Sequence, residues 1–221
     1  MKWNSRAILI LVLNVLFFVT SAQGRMKFSA HFDPQFAWFS SDDHVIDPDG
    51  SVFHIQAGLQ MDYYFQENYA FYLGFGINNL GGKLHYSDST VYDSKGEELM
   101  VLPDQRLKMN LQQIDIPLGL KLKTEELGYA TLFLQVGFNP AFNINARITS
   151  DDGDIDKENI QESIRVFNLG YQVGAGVEYR LGGSTAALAG IRWSSWLLDV
   201  TPEDAADLTM HAISINLGLI F

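Results

Sequence analysis

The sequence contains no cysteine, which removes two ways of holding an exported chain together or in place. No thiol is available for a lipoprotein anchor, and no disulfide framework can staple the fold. Basic residues are also scarce: 15 Lys and Arg stand against 26 Asp and Glu, a formal net charge of −11. That balance argues against nucleic acid, or anionic lipid headgroups, as partners held by the overall charge. Long apolar runs are missing too, apart from one near the start. Linkers rich in Pro or Gly, low-complexity tracts and internal repeats are likewise absent, so nothing divides the chain into domains.

The single apolar run, Ala7 to Thr20, follows Lys2 and Arg6, and small residues stand at Thr20 and Ala22. A basic start, an apolar middle and small residues at a cleavage site describe a secretory signal peptide over residues 1–22. As a transmembrane helix the run is short of the ~20 apolar residues a bilayer requires. Residues 23–221 then form one domain. About 200 residues suit a single all-β barrel.

Alternation dominates that domain. Strand character is expected over Lys27–Phe39, Val52–Phe65, Tyr69–Leu84, Leu107–Thr124, Tyr129–Asn145, Phe167–Leu181, Thr185–Trp196 and His211–Phe221. Three connections are short, with Asn or Gly for the turn: Gln66-Glu67-Asn68, Glu125-Glu126-Leu127-Gly128 and Gly182-Gly183-Ser184. Four are long and polar: Ser40–Ser51, with Asp47-Pro48-Asp49-Gly50 as turn chemistry, His85–Arg106, Ala146–Val166 and Leu197–Met210. The pattern predicts an all-β, eight-stranded antiparallel up-and-down transmembrane β-barrel with short turns on one rim and long loops on the other.

Two observations orient the sheet. In Phe167–Leu181 the apolar set (Phe167, Leu169, Tyr171, Val173, Ala175, Val177, Tyr179) alternates with a set carrying Glu178, Arg180 and glycines. The second set suits a narrow polar lumen, so the first faces lipid. A soluble ligand-binding barrel would reverse the faces. Aromatic residues also collect at strand ends: Tyr63, Phe65, Tyr69 and Phe71 near a short turn, Trp38, Trp193 and Trp196 near long loops. These are the interfacial girdles of a membrane barrel. The last strand alternates and ends on Phe221, the kind of terminus outer-membrane barrels present to their assembly machinery.

With eight strands the interior is just wide enough to be filled by side chains, so no open pore is expected. His31, Asp33, Gln35, Asp62, Asp115, Gln172, Glu178, Arg180 and Arg192 are the expected filling. Buried charges need partners, so Glu178 or Asp115 is expected to pair with Arg192 or Arg180. Gly74-x-Gly76 and Gly174-x-Gly176 lie inside strands, where small residues ease a tight lumen rather than cradle a nucleotide.

Several segments together resemble the PorT-like family of outer-membrane β-barrels: Met61–Gly76, Leu80–Tyr86, Ile114–Thr124, Val173–Thr185 and the Phe221 ending. The Ile-x-Ile-Pro-Leu-x-Leu-Lys strand and the Gly-Ala-Gly-Val-Glu-Tyr strand are the most specific. The resemblance implies an integral outer-membrane protein of a Gram-negative cell. The family's namesake serves a protein-secretion system, but most members share only the barrel.

Candidate chemistry is sparse. His85, Ser87 and a loop carboxylate (Glu97 or Glu98) hold the residue types of a lipid-A esterase, on a very short motif. Asp152, Asp154 and Asp156 alternate as calcium ligands do, yet Lys157 and Ser163 stand where an EF-hand needs Gly and Glu. A mobile acidic loop is the plainer reading, and such loops could share divalent cations with the lipopolysaccharide layer. No catalytic, cofactor or metal site is expected, and the histidines show no metal-ligand spacing. The expected role is a non-enzymatic structural or interaction protein of the outer membrane with acidic outward loops. The alternatives are an accessory of a secretion system or a lipid-A hydrolase. Expected partners are outer-membrane lipid and lipopolysaccharide, the barrel-assembly machinery through Phe221, and a protein at the loops.

Overall fold

Hydrogen bonding must close on itself when a sheet is surrounded by hydrocarbon, and the seam shows how this chain does it. Phe28 N–H donates to the Phe221 carbonyl (3.1 Å), and Phe221 N–H donates back to the Phe28 carbonyl (2.8 Å). The last strand then runs antiparallel to the first, from Ser29 opposite Ile220 to Ser40 opposite Thr209. The computed structural model describes residues 26–41, 46–87, 90–94, 97–101, 103–153, 155–201 and 208–221. The expected signal peptide lies outside the described residues.

The strands are β1 (Met26–Ser40), β2 (Ile46–Gln66), β3 (Tyr69–Tyr86), β4 (Thr90–Ser94), β5 (Glu97–Val101) and β6 (Gln105–Asp115). They continue with β7 (Leu118–Lys123), β8 (Ala130–Ser150), β9 (Glu158–Asn159), β10 (Phe167–Gly182), β11 (Thr185–Trp196) and β12 (Thr209–Ile220). Antiparallel neighbours follow in chain order, and β10 pairs β8 while β12 pairs β1, so the sheet closes. β6 and β7 together fill one place between β3 and β8, which makes a ring of eight. The expected fold class is the observed one.

The break in the fourth position is a proline effect. Pro117 has no N–H to give, yet the register against β3 is unchanged on either side, Gly76 opposite Asp115 and Leu73 opposite Leu118. Gly74 N–H donates to the Pro117 carbonyl at 2.7 Å. A side chain at Gly74 would meet the Pro117 ring at 2.8 Å, so glycine there makes room for proline.

Two loops hold more structure than expected: β4 and β5 form a hairpin in the second, and β9 with a 3-10 turn, Gln161–Ser163, lies in the third. The first loop is shorter than its turn residues imply. Asp47-Pro48-Asp49-Gly50 lies inside β2, where the register against β3 shifts between Pro48 and Ser51 and Gly50 takes φ 122°. β1 pairs β2 only as far as Val52, so Pro48 occupies a free edge where its missing N–H costs no ladder bond.

The faces are as alternation predicted. Phe32, Phe75, Ile191 and Ile215 are more than half exposed and lie on a continuous outward belt of large apolar residues. Gln35, Asn78, Gln172 and Asn216 point inward and are buried. Only lipid accommodates a belt of this extent, since soluble chains rarely expose contiguous apolar patches beyond a few hundred Å². At the short-turn rim Phe65 packs on Phe71 (4.8 Å between centroids) and Tyr129 on Tyr179 (6.1 Å). At the loop rim Trp38 stacks on His211 and Tyr171 meets Trp193 edge-on. Trp196 departs from the expected girdle. It is paired with Gly170, shares the inward parity of Arg192 and Ser194, and is 2 % exposed inside the barrel.

Deleting Phe221 removes both seam bonds to Phe28. It should lower the yield of folded barrel far more than deleting the exposed loop residue Asp152. The fraction that runs faster on an unboiled denaturing gel measures the difference, and equal fractions would refute it.

Candidate functional site

The lumen is stacked in three layers, each made by residues of one parity. Nearest the short turns it is ionic. Lys121, on β7 and fully buried, lies 2.6 Å from a carboxylate oxygen of Asp62 on β2 and 2.6 Å from one of Glu178 on β10. Lys123 also pairs with Glu178, and Gln60 donates to Asp62 at 2.6 Å. Lys121 Nζ lies 5.2 Å from the centre of the Phe133 ring, and Lys123 Nζ 5.4 Å from that of Tyr64. Each ammonium therefore has a carboxylate and an aromatic face, which is what a cation removed from water needs.

The middle layer is built of amides around two carboxylates. Asp33 is 2.7 Å from His31 Nδ1 and 3.3 Å from Arg192, which also donates to Gln56. Asp115 is held by Asn78 (2.7 Å), Asn139 (3.0 Å) and Gln56 (3.3 Å). Gln35 donates to Asn78, Gln113 to Asn143, and Gln172 to the Tyr72 hydroxyl. Large side chains are seated over glycines: Tyr72 over Gly119 and Gly137, Phe133 over Gly176 and Gly190. The glycine-rich strands thus do ease a tight lumen.

The third layer, toward the loops, is apolar. Leu80, Leu84, Tyr86, Leu107, Met109, Leu111 and Ile148 line the wall. Ile155, Ile160 and Ile164 of the third loop, with Val200 and Leu208 of the fourth, fold over them. Backbone bonds fix this cap: Ile160 N–H to Ala146 (3.0 Å), Arg165 N–H to Val200 (2.9 Å) and Val200 N–H to Leu208 (2.9 Å). Burial of each such side chain is worth about 1.5–3 kcal/mol, enough to offset the ordering of one or two loop residues.

Of the expected filling, His31, Asp33, Gln35, Asp62, Asp115, Gln172, Glu178 and Arg192 all lie in the lumen. Arg180 does not. It is exposed at the short-turn rim, two residues beyond the buried Glu178, and pairs with Glu126 at 2.9 Å. The expected pairings are also corrected: Arg192 takes Asp33, and Glu178 takes two lysines. Asp115 relies on amide donors instead of an ion pair. Lys121 and Lys123 were missed, although each alternates with Leu120 and Leu122 on the parity of Asp115.

The catalytic and metal candidates are described only in part. His85 Nε2 lies 2.8 Å from Asp104, and the side chains of Glu97 and Glu98 lie outside the described residues. No hydrogen bond among the described residues joins His85 to Ser87. In the acidic loop Asp152 accepts from Ser150 and Gln105, while Asp156 is exposed and Asp154 is not described. Among the described residues no three acidic or histidine side chains gather for a metal. At the short-turn mouth an open vestibule of about 390 Å³ is lined by Lys27, Lys123, Glu126, Tyr129, Arg180 and Phe221. Inside, the gap between His31, Gln60, Gln135 and Arg192 measures about 10 Å³.

Replacing Lys121 with Met leaves the buried Asp62 without its cation and Glu178 with Lys123 alone. It should lower unfolding stability in detergent by about 3–5 kcal/mol. Arg180→Gln removes only a half-exposed rim pair and should change it by about 0–1 kcal/mol. Urea titration followed by tryptophan fluorescence separates the two, and similar losses would show that the ionic layer is dispensable.

The outer membrane protein β-barrel domain family matches residues 18–194, and the chain belongs to that family. It is an outer-membrane β-barrel protein. Among curated proteins none matches the chain in sequence. Among solved structures it is similar to Ail, the attachment invasion locus protein of Yersinia pestis (14 % identity, TM-score 0.45, 89 % of this chain and 99 % of that one). It is also similar to OprG from Pseudomonas aeruginosa (12 %, TM-score 0.46, 89 % and 96 %) and to the Neisserial surface protein NspA (14 %, TM-score 0.43, 87 % and 95 %).

Proposed function

We propose that this protein is a closed, non-enzymatic barrel that presents a capped loop end at the outer face of the membrane as an interaction surface. The observation that carries this reading is the stacking of the lumen. Ionic, amide and apolar layers follow one another from mouth to mouth, and the apolar layer is roofed by its own loops. A passage for water or ions needs a continuous polar path, and an apolar stopper excludes one. The acidic side chains of the third loop, Asp151, Asp152 and Asp156, lie on the solvent side of that roof, where a protein partner would meet them. Within the family we place the chain with the PorT-like barrels. The Ile114–Thr124 segment that carries the resemblance is the one that bends at Pro117 and supplies Lys121 and Lys123 to the lumen. Service to a secretion apparatus is the second reading this supports, and co-purification of a partner under mild detergent would favour it.

Reconstituted in a planar bilayer, the purified barrel should give no conductance steps. Regular steps would overturn the closed-lumen reading. Ser87→Ala should leave lipid-A acylation in cells unchanged, and an altered acylation pattern would restore the hydrolase.

A further inference from the structure

The overall acidity of the chain argues against an anionic partner held by net charge, but the placement of its few cations is local. β2, β3, β6 and β8 rise beyond their neighbours: β8 pairs with β10 only up to Phe142, yet with β6 as far as Ser150. On the outer face of this taller wall Lys83 lies directly opposite Lys108, Lys108 is paired with Thr149, and Arg147 stands opposite Asn110 on the adjoining strand. Three cations on three adjacent strands thus share one outward patch. Like charges set opposite each other across a ladder repel.

Among the described residues, only Lys83 of the three has an acidic partner. Lys83 is 4.0 Å from Asp151, and neither Lys108 nor Arg147 forms an ion pair among the described residues. Of the acidic groups nearby, Asp49 is held by Arg106 at 3.2 Å and Asp104 by His85 at 2.8 Å, while the exposed Glu158 on β9 stands one position from Asn159, the residue opposite Arg147. Below the patch comes a band of amides, with Gln112 donating to Asn79 at 3.1 Å beside Asn110. Below that lie Ile77, Phe142 and Ile144, exposed residues of the lipid belt.

Height and direction decide the occupant. The patch sits on the same face as the belt, about 8–15 Å farther up the tilted strands. It therefore looks sideways into the headgroup layer, not upward toward an arriving protein. We propose that Lys83, Lys108 and Arg147 form a binding site for the phosphate groups of an outer-leaflet glycolipid, with Asn79, Asn110 and Gln112 placed to accept and donate bonds to its sugar hydroxyls. The site rests on the reading of the loop end as the outer face. It holds a lipopolysaccharide molecule against the wall by direct cation–phosphate contact, where the acidic loops alone would need bridging divalent cations.

The test uses the folded, affinity-tagged full barrel in detergent, incubated with purified lipopolysaccharide, washed, and assayed for bound glycolipid phosphate. Wild type should retain lipopolysaccharide in the presence of chelator. The Lys83→Gln/Lys108→Gln/Arg147→Gln variant should retain at least about tenfold less. A Lys27→Gln/Arg180→Gln control at the opposite mouth should match wild type. Equal retention by the triple variant overturns the proposal, as does equal retention of enzymatically dephosphorylated lipopolysaccharide. Release by chelator would instead mean metal bridging, and displacement by millimolar inorganic phosphate would mean a site for the free ion. Heat-modified mobility checks that each variant is folded; if the triple variant fails that check, Lys108→Gln and Arg147→Gln singly carry the comparison. A conducting wild-type barrel would defeat the closed-lumen reading while leaving this retention measurement intact.

Discussion

A backbone amide in hydrocarbon has no water to fall back on, and each one left unpaired costs several kcal/mol. The closure of β12 on β1 follows from that cost, and most of the structure follows from the closure. A ring of eight strands has a narrow interior. Side chains from opposite walls meet there, so space becomes the limiting resource. Glycine pairs on adjacent strands then take the footprint of a Tyr or Phe from the strand beside them, as Gly119 and Gly137 do beneath Tyr72. Pro117 fits into the wall only because Gly74 stands across from it.

The same closure explains the graded polarity of the lumen. Charges taken from water are tolerated where they can be paired at short range and lie near a wet mouth. The Lys121, Asp62 and Glu178 cluster meets both conditions, with the vestibule just outside Lys123. Farther in, neutral amides outnumber ions: Arg192 still pairs with Asp33, and Asp115 survives there by collecting three amide donors. Toward the loop end the inner walls turn apolar, and the ion pairs among the described residues there, such as Arg106 with Asp49, lie on the outer face. Buried pairs of this kind often add little net stability, but removing one partner is costly. The ionic layer is therefore a constraint on which strands may face each other as well as a source of binding energy.

Parity made much of this legible in the sequence. Once alternation assigned Phe167 and its companions to lipid, every inward position followed, and eight of the nine residues named for the lumen lie in it. What parity lacks is depth. Arg180 has the inward parity of Glu178 but sits past the end of the lumen, where the strand leaves the ring for its turn. Trp196 was assigned by its nearness to a loop, and its parity, which pointed inward, was the better guide. Partner choice depends on register between strands far apart in the chain. Lys121 meets Asp62 and Glu178 through two different neighbours, and no local pattern encodes that. Asp47-Pro48-Asp49-Gly50 has turn chemistry that the structure uses as a bulge, because a free strand edge tolerates what a turn would require.

The loops give the least local signal and change the functional picture most. Read as acidic segments, the third and fourth loops suggest mobile arms. Their buried residues, Ile155, Ile160, Ile164, Val200 and Leu208, show that each is a lid anchored on the tall half of the barrel. The tall wall needs such a lid, since its inner apolar face rises past the neighbouring strands and would otherwise stand in water. Chain entering the cap cannot also reach out to a ligand. The proposed role draws on the acidic side chains above the cap and the outer wall below it. On that wall the strands pass from lipid-facing isoleucines through amides to cations within a few residues. A fold whose interior is filled, and whose third and fourth loops pack residues over it, leaves its outer surface to carry the proposed interactions.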